Sequence, residues 1–438
     1  MTLTAETIMT VEIELKFIAS PAALAALPEK ITGWKCEAHE VLQLSNTYYD
    51  SELGVLRSHR FGLRVRGCNQ TYEMTLKSAG SVVGGIAHRQ EYNIDLPDDK
   101  LDISLLPKDV WPDDMNVAEL QETLNPLFTT DFKRETWLIN FQQSQIEIAL
   151  DQGIIQAGEL SEPIGELEME LKQGNAADML ALAQQLTTVE GLRLGSQSKA
   201  ARGYRLLAGS AELPEAEMVI LTVSDKANTE QGLEAALEWA LSYWQRNEAN
   251  WFDGETQAQY GVRHALTTIR QILVVFGGMI PRKATTSLRE RLVTLEQQLE
   301  SKQDVASICE QPGYLQLKLA VMAWLMNKGW RLFIDEKGKQ KLSGSFKRFA
   351  DVMMSRCRSE LKEAFNKPLT NDGYNDQQPR LERQIINFYL LSGAYDPEQS
   401  LPYIDVWQKL FNAEGDRDLL RRSAMEQPLF WLNSSQHV

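Results

Sequence analysis

The chain is poor in what a disulfide or zinc scaffold requires. Its four cysteines, Cys36, Cys68, Cys309 and Cys357, show no ligand spacing, so they read as buried thiols in a reducing cytoplasm. Five scattered histidines form no cluster, and no zinc site is expected. No apolar run approaches the roughly eighteen residues of a membrane span. The opening stretch MTLTAETIMTVEIELK has no basic region ahead of an apolar block, so neither a membrane partner nor a secretory leader is expected. Positive charge is also short. With 45 Lys+Arg against 60 Asp+Glu the net charge is −15, which argues against a nucleic-acid partner.

What the chain does have is length. Its 438 residues exceed what one core usually serves, and two domains are expected, divided at AGSAELPEAE into residues 1–210 and 211–438. The first part carries a net −12 and the second −3, while residues 281–350 alone carry +6. The two parts therefore differ in electrostatics as well as in pattern.

The first part consists of short alternating runs broken by turns. VEIELKF puts Glu12, Glu14 and Lys16 on one face of a strand and Ile13, Leu15 and Phe17 on the other. VLQLSNTYYD, FGLRVRG, TYEMTLKS, HRQEYNIDL, FKRETWLINF, SQIEIALDQG and GELEMELK follow, about eight strands in all. In most of them an apolar face alternates with a fully charged one. SPAALAALP, VAELQETLNPLF and NAADMLALAQQLTTV read as helices. If these cover the apolar faces, the charged faces turn towards each other. The expected fold is α+β: an eight-stranded antiparallel β tunnel with flanking helices, followed by an all-α bundle.

The charges sort by strand. Glu12, Glu14, Glu166, Glu168 and Glu170 lie on the first and last strands, and Arg64, Arg66, Lys77, Arg89 and Arg134 on the middle ones. Clustered carboxylates suit Mg²⁺ or Mn²⁺. Clustered guanidinium and ammonium groups suit a polyanion, and a metal–triphosphate complex satisfies both.

Glu12-x-Glu14-x-Lys16 resembles the signature of the CYTH superfamily, the triphosphate tunnel metalloenzymes. The resemblance runs over most of residues 10–205, through Tyr49-Asp50, Leu63-Arg64-Val65-Arg66, Thr75-x-Lys77, Arg89-x-Glu91, Lys133-Arg134, Glu147-x-x-x-Asp151 and Glu166-x-Glu168-x-Glu170 to Ser198-Lys199-Ala200-Ala201-Arg202-Gly203-Tyr204. It implies that Glu12, Glu14, Asp151, Glu166, Glu168 and Glu170 bind metal. It further implies that Lys16, Arg64, Arg66, Lys77, Arg89, Arg134 and Lys199 hold the phosphates, the first six as catalytic groups. Glu91 is expected either to act directly or to pair with Arg89 or a neighbouring lysine. Arg57 and Arg60 are expected at the rim or in solvent, Tyr49 in packing, and His88 in no role.

The second part is helical almost throughout, about eight or nine helices, with breaks at Gly277-Gly278, Gln311-Pro312-Gly313, Lys337-Gly338 and Asn371-Asp372-Gly373. Leu233, Leu237, Leu241 and Trp244 form a helical stripe. Its place after the tunnel is similar to that of a CHAD domain, with Arg263-His264 opening the first motif, which implies a polyphosphate contact. His264 reads equally as a packed helix residue, and most of the helical unit's basic residues as ordinary face charges. The pairing resembles bacterial inorganic triphosphatases and implies metal-dependent hydrolysis of inorganic triphosphate. The alternatives are thiamine or nucleoside triphosphate hydrolysis, adenylyl cyclisation, or polyphosphate binding without cleavage.

Overall fold

The computed structural model describes residues 8–83, 85–209, 217–300, 304–413 and 416–433. The expected linker over 208–217 falls for the most part outside the described residues, as does the start of the opening stretch. Two compact units divide the chain, Met1–Pro214 with Gln303–Ala323, and Glu215–Lys302 with Trp324–Val438. A single division at residue 210 does not describe residues 303–323, which join the first unit although both their flanks belong to the second.

In the first unit the eight anticipated strands form, with two short additions. They are β1 (Ile8–Ala19), β2 (Cys36–Asp50), β3 (Gly62–Cys68), β4 (Thr71–Lys77), the short β5 (Ser81–Val83), β6 (Ile86–Leu96), β7 (Asn125–Phe141), β8 (Ser144–Ala157), β9 (Leu160–Gln173) and the short β10 (Leu192–Leu194). The order β1-β9-β8-β7-β2-β3-β4-β6 closes into an antiparallel ring because β6 pairs back onto β1. β1 is shared between neighbours: Ile8 to Glu14 pair with β6, and Glu14 to Ile18 pair with β9.

Alternation then sorts the faces. Leu15 and Phe17 are buried on the outer side, and helix Pro21–Thr32, capped by Ser20 with Pro21 in its first turn, packs against β1. Leu63, Val65, Met74, Leu76 and Ile94 form a second outer cluster with Ile103, Leu106, Trp111 and Leu120. Part of the interior is apolar as well. Leu44, Tyr48, Phe128, Phe132, Ile155 and Ile164 fill the space between β2, β7, β8 and β9, and Tyr204 of helix Lys199–Leu207 packs on them. A Cβ added at Gly203 would stand 2.2 Å from the Phe128 ring. Gly203→Ala is therefore expected to lower stability by about 1–3 kcal/mol through overpacking, which urea unfolding would measure.

One element differs from expectation. VAELQETLNPLF is not a single helix. The helix stops at Thr123, and Asn125 opens β7. Pro126 disfavours helical backbone at the residue before it and offers no N–H, and Phe128 is needed inside the ring.

The second unit is helical as expected. Helix Thr229–Phe252 starts on a capping box made by Asn228 and Gln231 and buries Leu233, Leu237, Leu241 and Trp244. Helices Ala258–Val275, Thr286–Leu299, Phe346–Phe365, Asn371–Leu391 and Pro397–Asn412 are its other long elements. Three expected breaks are helix starts instead, and at the first of them Pro312 opens helix Pro312–Met326. Gly338 and Gly373 sit in first turns, where their N–H groups donate to the caps Asp335 and Thr370 at 2.8 and 3.1 Å. No helix of the described residues is long and apolar enough to cross a membrane. No disulfide links the four cysteines. Cys309 and Cys357 are buried, but Cys36 is exposed and Cys68 half-buried, contrary to expectation.

Candidate active site

The charged interior of the ring encloses a cavity of about 950 Å³. Glu12, Glu14, Lys16, Arg64, Arg66, Lys77, Arg89, Arg134, Glu168, Glu170 and Lys199 all line it. Asp151 and Glu166 do not; they are fully buried, set in a knot of opposite charges. One carboxylate oxygen from each of Asp151, Glu166 and Glu168 lies within 4.8 Å of the others. Lys199, delivered by the first turn of its helix, reaches Asp151 at 2.7 Å and Glu166 and Glu168 at 2.8 Å. Lys16 reaches Glu168 at 2.8 Å and Glu166 at 3.3 Å. Arg134 grips Asp151 with two bonds of 2.7 and 2.6 Å and Glu168 with one of 2.6 Å, and Arg202 pairs with Glu166.

The protonation states follow from this packing. Burial alone would raise the Glu166 carboxyl, but Lys16 and Lys199 outweigh it and hold it at about 2. Glu168 is likewise carried well below the usual carboxylate range, against burial, by Lys16, Lys199 and Arg134. Burial would lower Lys16, yet its carboxylate neighbours carry it well above the usual lysine value.

Away from the knot the balance fails in both directions. Glu14 is raised by burial, then by Glu168 and Glu12, with Lys16 and Lys77 opposing. Glu170 is raised by burial and by Glu12 and Glu147, despite its 2.8 Å bond from Lys172. Glu12 is held by Lys77, whose ammonium lies 2.7 Å from both carboxylate oxygens. Across the cavity, burial pushes the Arg66 guanidinium down to about 9, with Arg64 and Arg134 adding repulsion. Burial would raise the Tyr48 phenol, but Arg64, Lys199 and Arg66 together bring it below its ordinary value.

Arg57 and Arg60 are exposed where they border the cavity, in keeping with the expected rim position, and the Arg57 guanidinium lies 5.1 Å above the Tyr204 ring. Glu91 pairs with Lys77 at 3.5 Å and Arg64 at 3.9 Å. Tyr49 packs on the outer cluster as expected. Asp50 accepts hydrogen bonds from the Ser51, Leu56 and Arg57 amides and from the Tyr204 hydroxyl, so it builds the turn rather than the charged lining. Tyr48, Glu73, Thr75 and Asn93 also line the cavity. The alternation of TYEMTLKS and HRQEYNIDL puts Glu73 and Thr75 on the face of Lys77, and Asn93 on the face of Arg89 and Glu91, though the sequence assigns these three no role; Tyr48 carries no such signal. In the second unit His264 is a packed helix residue: burial and Arg263 push it down to about 4, and its ring meets Tyr243 edge-on at 5.9 Å.

Residues 10–204 match the CYTH domain family and residues 235–418 the CHAD domain family. A curated inorganic triphosphatase of Haemophilus influenzae is 41% identical over 201 residues, 46% of this chain and 56% of that protein. The match thus spans little more than half the length of that relative. Among solved structures, a candidate adenylyl cyclase of Hippeastrum with a dominant triphosphatase activity is 21% identical, with a TM-score of 0.36 over 46% of this chain and 98% of that one. The CHAD domain of Ricinus communis is 16% identical, with a TM-score of 0.35 over 50% and 84%.

Proposed function

Because residues 10–204 are a CYTH domain and residues 235–418 a CHAD domain, we propose that the chain is an inorganic triphosphatase. It hydrolyses tripolyphosphate to diphosphate and phosphate inside the ring and depends on Mg²⁺ or Mn²⁺. One observation carries the reading: a single cavity holds both an under-compensated cation, Arg66, and under-compensated carboxylates, Glu14 and Glu170. A polyanion bound with a divalent cation relieves both.

The donor set fits such a metal. Glu12, Glu14, Glu168 and Glu170 offer hard oxygens on neighbouring strands, and two of the four are short of positive partners. When bound, the ion supplies Lewis-acid polarisation of phosphate oxygens. Asp151 and Glu166 are proposed here as anchors for Lys199, Lys16, Arg134 and Arg202 rather than as ligands, since neither lines the cavity, whereas Glu168 does. Arg64, Arg66, Arg134, Lys77 and Arg89 bind the phosphate chain and neutralise charge growing on the leaving and transferred oxygens. Lys16 and Lys199, each fixed by three carboxylates, hold their ammonium groups at the edge of this array.

For the helical unit we propose a polyphosphate contact at Arg270, Arg282 and Arg289. Burial lowers Arg289, and Arg282 and Arg270 add repulsion, although Glu296 partly answers Arg270 at 3.0 Å. The lack of a disulfide among the four cysteines supports a reducing, cytoplasmic location.

Phosphate release from tripolyphosphate, ATP, thiamine triphosphate and long polyphosphate, each with Mg²⁺, Mn²⁺ or chelator, tests the reading. Tripolyphosphate is expected to turn over fastest, and chelation to bring release to background. Metal-independent release, or a preference for ATP, would contradict it.

A further inference from the structure

We propose that Asn46 is a positioning residue, which aims the Arg66 guanidinium at the phosphate chain without cancelling its charge. The inference rests on the triphosphatase reading and extends it to a side chain outside the charged set.

Asn46 lies on β2 with no solvent exposure. β2 runs between β7 and β3, and Asn46 stands opposite Thr130 on one side and Arg66 on the other. Its amide ties the three strands together at that level. Nδ2 donates to the Thr130 carbonyl at 3.1 Å, and Oδ1 accepts from Arg66 Nε at 2.9 Å. A carbonyl oxygen can only accept, so the amide has one orientation, and that orientation presents its own oxygen to Arg66. Nε is thereby fixed, and the terminal nitrogens stay available to the cavity that Arg66 lines.

Comparison with Arg134 shows why an amide matters. Arg134 is held by two carboxylates, Asp151 and Glu168, at 2.6 Å, and its charge is already answered. Among the described residues Arg66 makes no ion pair within 4.0 Å. The charged and titratable groups that act with it are Arg64, Arg134, Tyr48, Glu73 and Glu91. A carboxylate at position 46 would supply the same acceptor and also neutralise the guanidinium. A neutral acceptor orients the cation and leaves its attraction for phosphate intact.

The test is a double-mutant cycle on the full chain, read by calorimetric binding of tripolyphosphate and by steady-state hydrolysis, with melting curves to confirm folding. Asn46→Leu alone is expected to lower kcat/KM about ten- to a hundredfold, as for a lost hydrogen bond to a charged group. In an Arg66→Gln background the same substitution is expected to cost about twofold or less, because it acts through Arg66. Asn46→Asp is expected to raise KM for tripolyphosphate, because the added carboxylate neutralises the Arg66 guanidinium while keeping the same acceptor in place. If Asn46→Leu does not fold, Asn46→Ser takes its place in the cycle. Additive losses in the double variant, or an unchanged KM in Asn46→Asp, overturn the inference. A wild-type chain that binds no tripolyphosphate overturns the reading beneath it.

Discussion

Glu14→Gln is expected to lower metal-dependent kcat by about a hundredfold or more, the scale of a lost metal-shell or charge-stabilising group, while leaving the metal-free protein at least as stable. The two halves of this expectation have one cause. Glu14 is half-buried beside Glu168 and Glu12, and its carboxyl is raised by burial first and those neighbours second. A group whose folded value is raised makes its charged form a cost to folding above the ordinary carboxylate range. An amide of the same shape removes that cost at neutral pH and also removes the oxygen a metal needs. Phosphate release with Mg²⁺ and urea unfolding in chelator, side by side, check both halves. Full turnover in the variant would remove Glu14 from the metal site.

Glu166→Gln should do the opposite. Glu166 has no solvent exposure and answers Lys16, Lys199 and Arg202. Removing its charge strands buried cations and is expected to cost about 3–5 kcal/mol. The pH dependence has a definite sign. The folded value is depressed to about 2 from an ordinary 4.5, so the contribution is complete above the unfolded value and is lost as pH falls towards 2. The stability gap between wild type and variant, measured by urea unfolding, should therefore be full at pH 7 and close progressively below about pH 4.5. A gap that stayed constant with pH would show that Glu166 acts through packing and not through charge.

These contrasting expectations mark where the sequence was legible and where it was not. The period-two alternation of VEIELKF, FGLRVRG and GELEMELK tells which side chains share a face, because each strand carries its own record of in and out. The ring and most of the charged lining follow from it. Alternation says nothing about neighbours across the sheet. Glu166 and Glu170 look identical along their strand, yet β9 places Glu166 opposite Asp151 and Glu170 opposite Glu147, and only Glu166 meets Lys199. The apolar interior around Phe128 and Phe132 was equally unreadable. Aromatic residues on the inner face of β7 resemble any buried strand until helix Lys199–Leu207 supplies what they pack on. Asn46 was passed over because a lone amide has no charge to announce it, and its partners lie 20 and 84 positions away.

The double pairing of β1 bears on how the molecule comes into being. Glu12, Glu14 and Lys16 are made before the other strands of the ring, and β1 cannot be flanked on both sides until β6 and β9 have followed. These long-range pairings place ring closure late and make it slow. Until β9 is synthesised nothing brings Glu14 beside Glu170, so a nascent chain carries the acidic motif without the means to use it.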